Sequence, residues 1–118
     1  MLNLFLGLVC CSSVKAILVT GTSSGIGLSI AKTLSDLGHL VYATYRKDSD
    51  LEVLSQIKNV KPVKLDVRDL TDMKRAFEYI VSEKTGLYGL VNNAGVGGLG
   101  LFTTWTDAEF KDIFNIFY

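Results

Sequence analysis

Thr20-Gly21-Thr22-Ser23-Ser24-Gly25-Ile26-Gly27 decides how the rest of this chain reads. It is preceded by Ala16-Ile17-Leu18-Val19-Thr20, a continuous apolar and β-branched run that suits a strand buried on both faces. It is followed by Ile26, Ile30, Leu34 and Leu37, spaced to lay one apolar stripe on a helix, with Gly38 just past the end as a cap. The glycines therefore sit in a strand-to-helix turn. Gly21 permits a tight turn, Gly25 lets backbone approach a ligand, and Gly27 allows close packing of helix on strand. Free N–H groups and the positive end of the helix dipole favour a pyrophosphate there, and Ser23 and Ser24 add hydroxyl donors. No Gly-Lys-Ser/Thr ending follows, which disfavours a triphosphatase loop. A dinucleotide site is the better reading.

Outward from this turn, strand and helix patterns alternate. Leu40 to Tyr45 reads as a second strand, Asp50 to Ile57 as a short helix, and Val63-Lys64-Leu65 as a third strand starting after Pro62. A helix over Thr71 to Lys84 is predicted to place Leu70, Met73, Phe77, Ile80 and Val81 on one face, with Gly86 past its end. Gly89-Leu90-Val91 is a fourth strand, leading into a glycine-rich stretch from Asn92 to Gly100. A last helix begins near Thr106 or Asp107, either of which suits a cap. The pattern implies an α/β fold, a partial doubly wound (Rossmann) parallel sheet of four strands in the order 3-2-1-4.

Composition excludes several functions. Of 118 residues 48% are hydrophobic and 20% charged, which suits a packed globular unit, residues 14–118, and argues against disorder. The 12 basic and 12 acidic residues cancel and form no stripe, so nucleic acid is not an expected partner. Cys10 and Cys11 are adjacent and lack metal-ligand spacing, which points to a reducing, cytoplasmic setting and to no metal site. Residues 1–13 form an apolar extension, too short for the roughly 20 residues that span a bilayer. A weak signal or membrane anchor, an ordered extension and an adventitious upstream stretch stay open as readings of it.

The Gly-x-x-x-Gly-x-Gly spacing from Gly21 to Gly27 resembles the short-chain dehydrogenase/reductase family. Asn92-Asn93-Ala94-Gly95 after the fourth strand and Leu65-Asp66-Val67 closing the third look like two further hallmarks, in family order, from about Val14 to Phe114. Val41 to Arg46 resembles the steroid- and retinoid-active branch. The resemblance implies hydride transfer between a nicotinamide cofactor and a small-molecule carbonyl or alcohol. It also implies that Asp66 accepts from the adenine amino group with the Val67 backbone beside it. Asn93, Ala94 and Gly95 would line the adenine ribose side and brace the sheet. Gly21, Ser23, Ser24, Gly25, Ile26 and Gly27 complete the cofactor-binding set.

The form of the cofactor turns on the end of the second strand, where an acidic residue marks NAD. Tyr45 takes that place, and Arg46 is suited to grip a 2′-phosphate, with Lys47 in support, so NADP (NADPH) is preferred and NAD is the alternative. The family's catalytic serine and Tyr-x-x-x-Lys have no match: Tyr42, Tyr45, Tyr79 and Tyr88 lack a lysine four residues on, and Tyr118 is the last residue. No catalytic residue is assigned, nor is the family's asparagine carried onto Asn115. The chain reads as a half-domain truncated before its catalytic segment, with a catalytically inactive nucleotide-binding or dimerising fragment as the alternative. A helix bearing Phe110, Ile113, Phe114 and Phe117 on one side is the expected homo-oligomer contact.

Overall fold

The computed structural model describes residues 13–95, 106–109 and 111. The elements are β1 (Ala16–Val19), α1 (Gly25–Asp36), β2 (Leu40–Tyr45), a 3-10 turn at Asp48–Asp50, α2 (Leu51–Ser55), β3 (Val60–Lys64), α3 (Leu70–Ser82) and β4 (Gly89–Val91). All three strand pairings are parallel and the order is β3-β2-β1-β4, the predicted topology. Alternation along the strands divides the core. Ile17, Val19, Val41 and Ala43 pack with Ala31 of α1 and Leu54 of α2. Ala16, Tyr42 and Val63 pack with Ala76 and Ile80 of α3.

Two local expectations are corrected. Pro62 lies inside β3 instead of preceding it. The strand tolerates this because β3 is at the sheet edge, where a missing N–H breaks no ladder on the outer side. On α1 the buried residues are Gly27, Ala31 and Ser35, while Ile26 and Leu37 are exposed. Small residues at a spacing of four let the helix backbone come close to the sheet, and Leu28, Ile30 and Leu34 fill in from the sides. The apolar stripe is real but rotated from the contact line.

On α3 only Ala76 and Ile80 are buried; Leu70, Phe77 and Val81 are exposed and Met73 is partly so. Met73, Ala76, Phe77, Ile80 and Val81, with Leu18 and Leu90 of the sheet, border an open apolar groove of about 780 Å³. Periodicity identified the face; no described residue covers it.

Helix ends follow their local chemistry. His39 N–H donates to Leu34 O (3.1 Å) and Gly38 N–H to Ser35 O (2.9 Å), with Gly38 at φ +85°, a Schellman ending for α1. At α3 the left-handed residue after the cap is Lys84 (φ 55°), two positions before the predicted Gly86. The start of α3 is capped by Asp69, whose carboxylate accepts from the N–H groups of Thr71 and Asp72. Residues 107–109 are helical, and Thr106 is their cap. Glu109 accepts from Thr106 N–H at 2.8 Å while Thr106 Oγ1 accepts from Glu109 N–H at 3.3 Å, a reciprocal capping box. Thr106's N–H and hydroxyl hold the Glu109 carboxyl below its ordinary pKa. Residues 1–12 and the apolar positions Phe110, Ile113, Phe114 and Phe117, as well as Asn115, lie outside the described residues. Among the described residues no helix is long and apolar enough to cross a membrane.

Candidate functional site

The C-terminal ends of β1, β2, β3 and β4 converge on a cleft of about 330 Å³. Strand order reverses beside β1, which makes this the crevice where doubly wound sheets take ligands. The cleft is lined by Gly21, Ser23, Ser24, Ile26 and Gly27 from the turn and by Arg46 after β2. Asp66 and Val67 after β3 and Asn93, Ala94 and Gly95 after β4 complete the set foreseen from sequence. Gly25, and Lys47 foreseen in support of Arg46, are not among the lining residues. Thr44, Tyr45, Leu65 and Arg68 join it without having been foreseen.

The turn is built around its glycines in three different ways. Gly21 adopts φ +68° and lies against Ala94, whose Cα would be 2.8 Å from a Cβ there. Gly25 adopts φ +58° with open space on its Cβ side. Gly27 is helical, and a Cβ on it would collide with the Gly21 carbonyl oxygen and Asn93 Nδ2. The foreseen close packing at Gly27 is therefore against the turn itself, not against the strand.

A hydrogen-bond lattice fixes the turn to both neighbouring strands. Gly21 N–H donates to Thr44 Oγ1 (3.0 Å), and Thr22 gives both its N–H and its hydroxyl to Thr44 O (each 2.9 Å). Thr20 Oγ1 accepts from Asn93 N–H (3.0 Å) and Ala94 N–H (2.9 Å). Asn93 Nδ2 donates to Thr20 O and Gly21 O, each at 3.0 Å. Both amide hydrogens of Asn93 are thus committed inside the protein. Its work here is bracing the turn. Thr20, Thr22 and Thr44 share that work, and sequence reasoning passed over them because threonine in a strand or turn carries no distinctive spacing.

The anion-binding features remain free. Ser24 is the N-cap of α1 but its side chain makes no capping bond. The N–H groups of Gly25, Ile26 and Gly27 have no carbonyl of their own helix to reach, as at any helix start. Leu28 is the first to bond back, to Ser24 O at 3.4 Å.

Across the cleft, Arg46 is exposed and forms no hydrogen bond or ion pair among the described residues. Tyr45, at the acidic marker's place, is 8% exposed and packs in the core beneath. Arg68 Nε and Nη2 clamp Asp66 Oδ1 and Oδ2 at 3.0 and 2.7 Å. This fork, helped by the Arg68 N–H and by the positive field of Arg46, holds the Asp66 carboxyl at about 2, below its usual 3.8. A depressed folded-state pKa means that the ionised form favours folding above pH 3.8. That contribution fades as pH falls toward 2. Arg68→Gln should therefore flatten the loss of stability between pH 4 and pH 2.5 relative to wild type. Urea melts at the two pH values measure it, and parallel acid losses in both proteins would contradict it.

A family model described as short chain dehydrogenase matches residues 15–118. The 3-ketodihydrosphingosine reductase of Bacteroides thetaiotaomicron is 40% identical over 95 residues, 80% of this chain and 34% of that protein. The mitochondrial D-beta-hydroxybutyrate dehydrogenase of Mus musculus is 32% identical over 115 residues, 89% of this chain and 34% of its own length. A short-chain dehydrogenase structure from Streptomyces avermitilis superposes with a TM-score of 0.79 at 32% identity, covering 89% of this chain and 39% of that one. An actinorhodin polyketide ketoreductase structure with NADPH gives 0.80 at 29% identity, covering 86% and 41%. The chain spans about a third of the length of these curated relatives. The sheet order, the glycine turn braced by Asn93, and a family match over nearly all of the sequence agree, and the chain belongs to the short-chain dehydrogenase family.

Proposed function

We propose that this chain is the dinucleotide-binding portion of an oxidoreductase that moves a hydride between a nicotinamide cofactor and a carbonyl or alcohol substrate. NADPH is the preferred form. The carrying observation is Arg46: a guanidinium with no partner among the described residues lines the cleft directly after β2, where the strand ends in a buried tyrosine instead of a carboxylate. No negative charge at that position repels a 2′-phosphate, and a planar fork of donors suits one.

The residues fit such a cofactor. Open space at Gly25, the uncommitted Ser24 hydroxyl and the free N–H groups opening α1 suit a diphosphate. Asp66 and the Val67 backbone would serve the adenine, and Ala94 and Gly95 would border the adjoining ribose. The cofactor supplies the hydride chemistry; these residues bind and orient it. Relatives named for reducing a keto group or oxidising a hydroxy acid, and a structural neighbour crystallised with NADPH, support the reading.

Titration of the chain with NADPH and NADH, followed by nucleotide fluorescence, tests it. Arg46→Ala is expected to weaken NADPH binding by about 10-fold or more while changing NADH by less than about 2-fold. Equal losses would remove the 2′-phosphate role.

A further inference from the structure

The ladder between β1 and β2 ends at the pair Val19 and Ala43. Beyond it β1 gives way to the glycine turn, while β2 runs on through Thr44 and Tyr45 to Arg46. Three bonds bridge the two segments where they part. Gly21 N–H donates to Thr44 Oγ1 at 3.0 Å, and Thr22 donates both its N–H and its hydroxyl to Thr44 O at 2.9 Å. Thr22 is 0% exposed and is not among the residues that line the cleft. Its hydroxyl is committed to the carbonyl two residues before Arg46. From the other side, Leu65 N–H donates to Tyr45 O at 2.9 Å, and the Tyr45 side chain is buried. Those contacts fix Arg46 relative to β3 and the core. The bonds from Gly21 and Thr22 fix it relative to the turn.

That separation has a chemical consequence. A diphosphate at the start of α1 and a phosphate on the adjoining ribose belong to one molecule. The second contact gains from the first only when the two sites stand at the spacing the ligand imposes. A small displacement weakens a charge-assisted pair that depends on geometry. We propose that Thr22 is a positioning residue for the choice of cofactor form: its hydroxyl sets the distance between the glycine turn and Arg46, and so the preference for a 2′-phosphate over a 2′-hydroxyl. The inference rests on the reading of Arg46 as the 2′-phosphate contact. Valine at this position keeps the size and the backbone bond but puts a methyl where the hydroxyl stands, 2.9 Å from Thr44 O. A carbon keeps about 3.3–3.6 Å from a carbonyl oxygen, so Thr44 O retreats by roughly half an ångström and takes the end of β2 with it.

The test measures NADPH and NADH dissociation constants by nucleotide fluorescence for the 118-residue chain and its variants. From a wild-type preference for NADPH of about 10-fold or more, Thr22→Val should bring the ratio to about 3-fold or less. Thr22→Ser keeps the hydroxyl and should keep the ratio. Thr22→Ala removes the hydroxyl without pressing on Thr44 O and should fall between; it replaces the valine variant if thermal melts show that one to be unfolded. In an Arg46→Ala background, Thr22→Val should leave the ratio where Arg46→Ala alone put it. A merely structural role would weaken both dinucleotides together, and an intact ratio in the valine and alanine variants overturns the proposal. An equal further loss of ratio in the Arg46→Ala background also overturns it, because Thr22 would then act without Arg46. If Arg46→Ala alone leaves the ratio unchanged, the 2′-phosphate reading falls and this inference falls with it.

Discussion

Gly27→Ala is expected to cost the chain about 2–4 kcal/mol of stability and to abolish retention of NADPH. Alanine is ordinarily the best helix former, and by propensity alone this change inside α1 would be favourable by about 1 kcal/mol. Sterics reverse the sign. The added Cβ meets the Gly21 carbonyl oxygen and Asn93 Nδ2, and neither partner is free to retreat. Gly21 O is held by Asn93, Gly21 N–H is held by Thr44 Oγ1, and Asn93 Nδ2 is shared with Thr20 O. Relief requires α1 to move off the turn, which pulls the free N–H groups away from the cleft. Gly25→Ala is the informative contrast. It has open space but a φ of +58°, so its expected cost is about 1–2 kcal/mol of backbone strain alone. Urea denaturation midpoints of the two variants rank them, and a Gly27→Ala protein with the wild-type midpoint would refute the argument.

The contrast between those glycines shows how far sequence carried the site. Spacing alone placed Gly21, Gly25 and Gly27 in a strand-to-helix turn, and the order of strands followed from alternation with helices. These are local signals: each needs only a period or an offset. What spacing could not supply was the partner across space. Gly27 was expected to pack on a strand and instead packs on its own turn, because Asn93, far along the chain, folds in beside it. Arg68 escaped notice because an arginine two residues beyond an aspartate is unremarkable until its side chain is seen to fold back. The face of α1 was mis-set for a related reason. Periodicity measures which positions are apolar, whereas closeness to the sheet is decided by which are small, as Ala31 and Ser35 show on α1. On α3 the apolar face was correctly found, but Phe77 and Val81 border an open groove, and periodicity cannot say what covers a face.

The same dependence on distant partners makes Thr20→Val the second large perturbation. The two side chains are nearly the same size, so packing around this position, 5% exposed, is preserved. The hydroxyl is what matters. Thr20 Oγ1 is the acceptor for Ala94 N–H, shares Asn93 N–H with Val91 O, and donates to Val91 O at 3.3 Å. Valine leaves Ala94 N–H without a partner and removes one of two from Asn93 N–H. The desolvation penalty of an orphaned amide is about 1–3 kcal/mol. The larger consequence is geometric: the β4 loop, released from β1, no longer delivers the Asn93 side chain to Gly21 O. NADPH affinity is therefore expected to fall by about 10-fold or more, and Thr20→Ser, which keeps the hydroxyl, should retain most of it. Asn93→Ala cuts the same tie from the other side. If the two residues act as one brace, the double variant Thr20→Val/Asn93→Ala will be more stable than the sum of the single losses predicts, by about 0.5–2 kcal/mol. Strict additivity in the double-mutant cycle would show instead that the hydroxyl and the amide hold the turn independently.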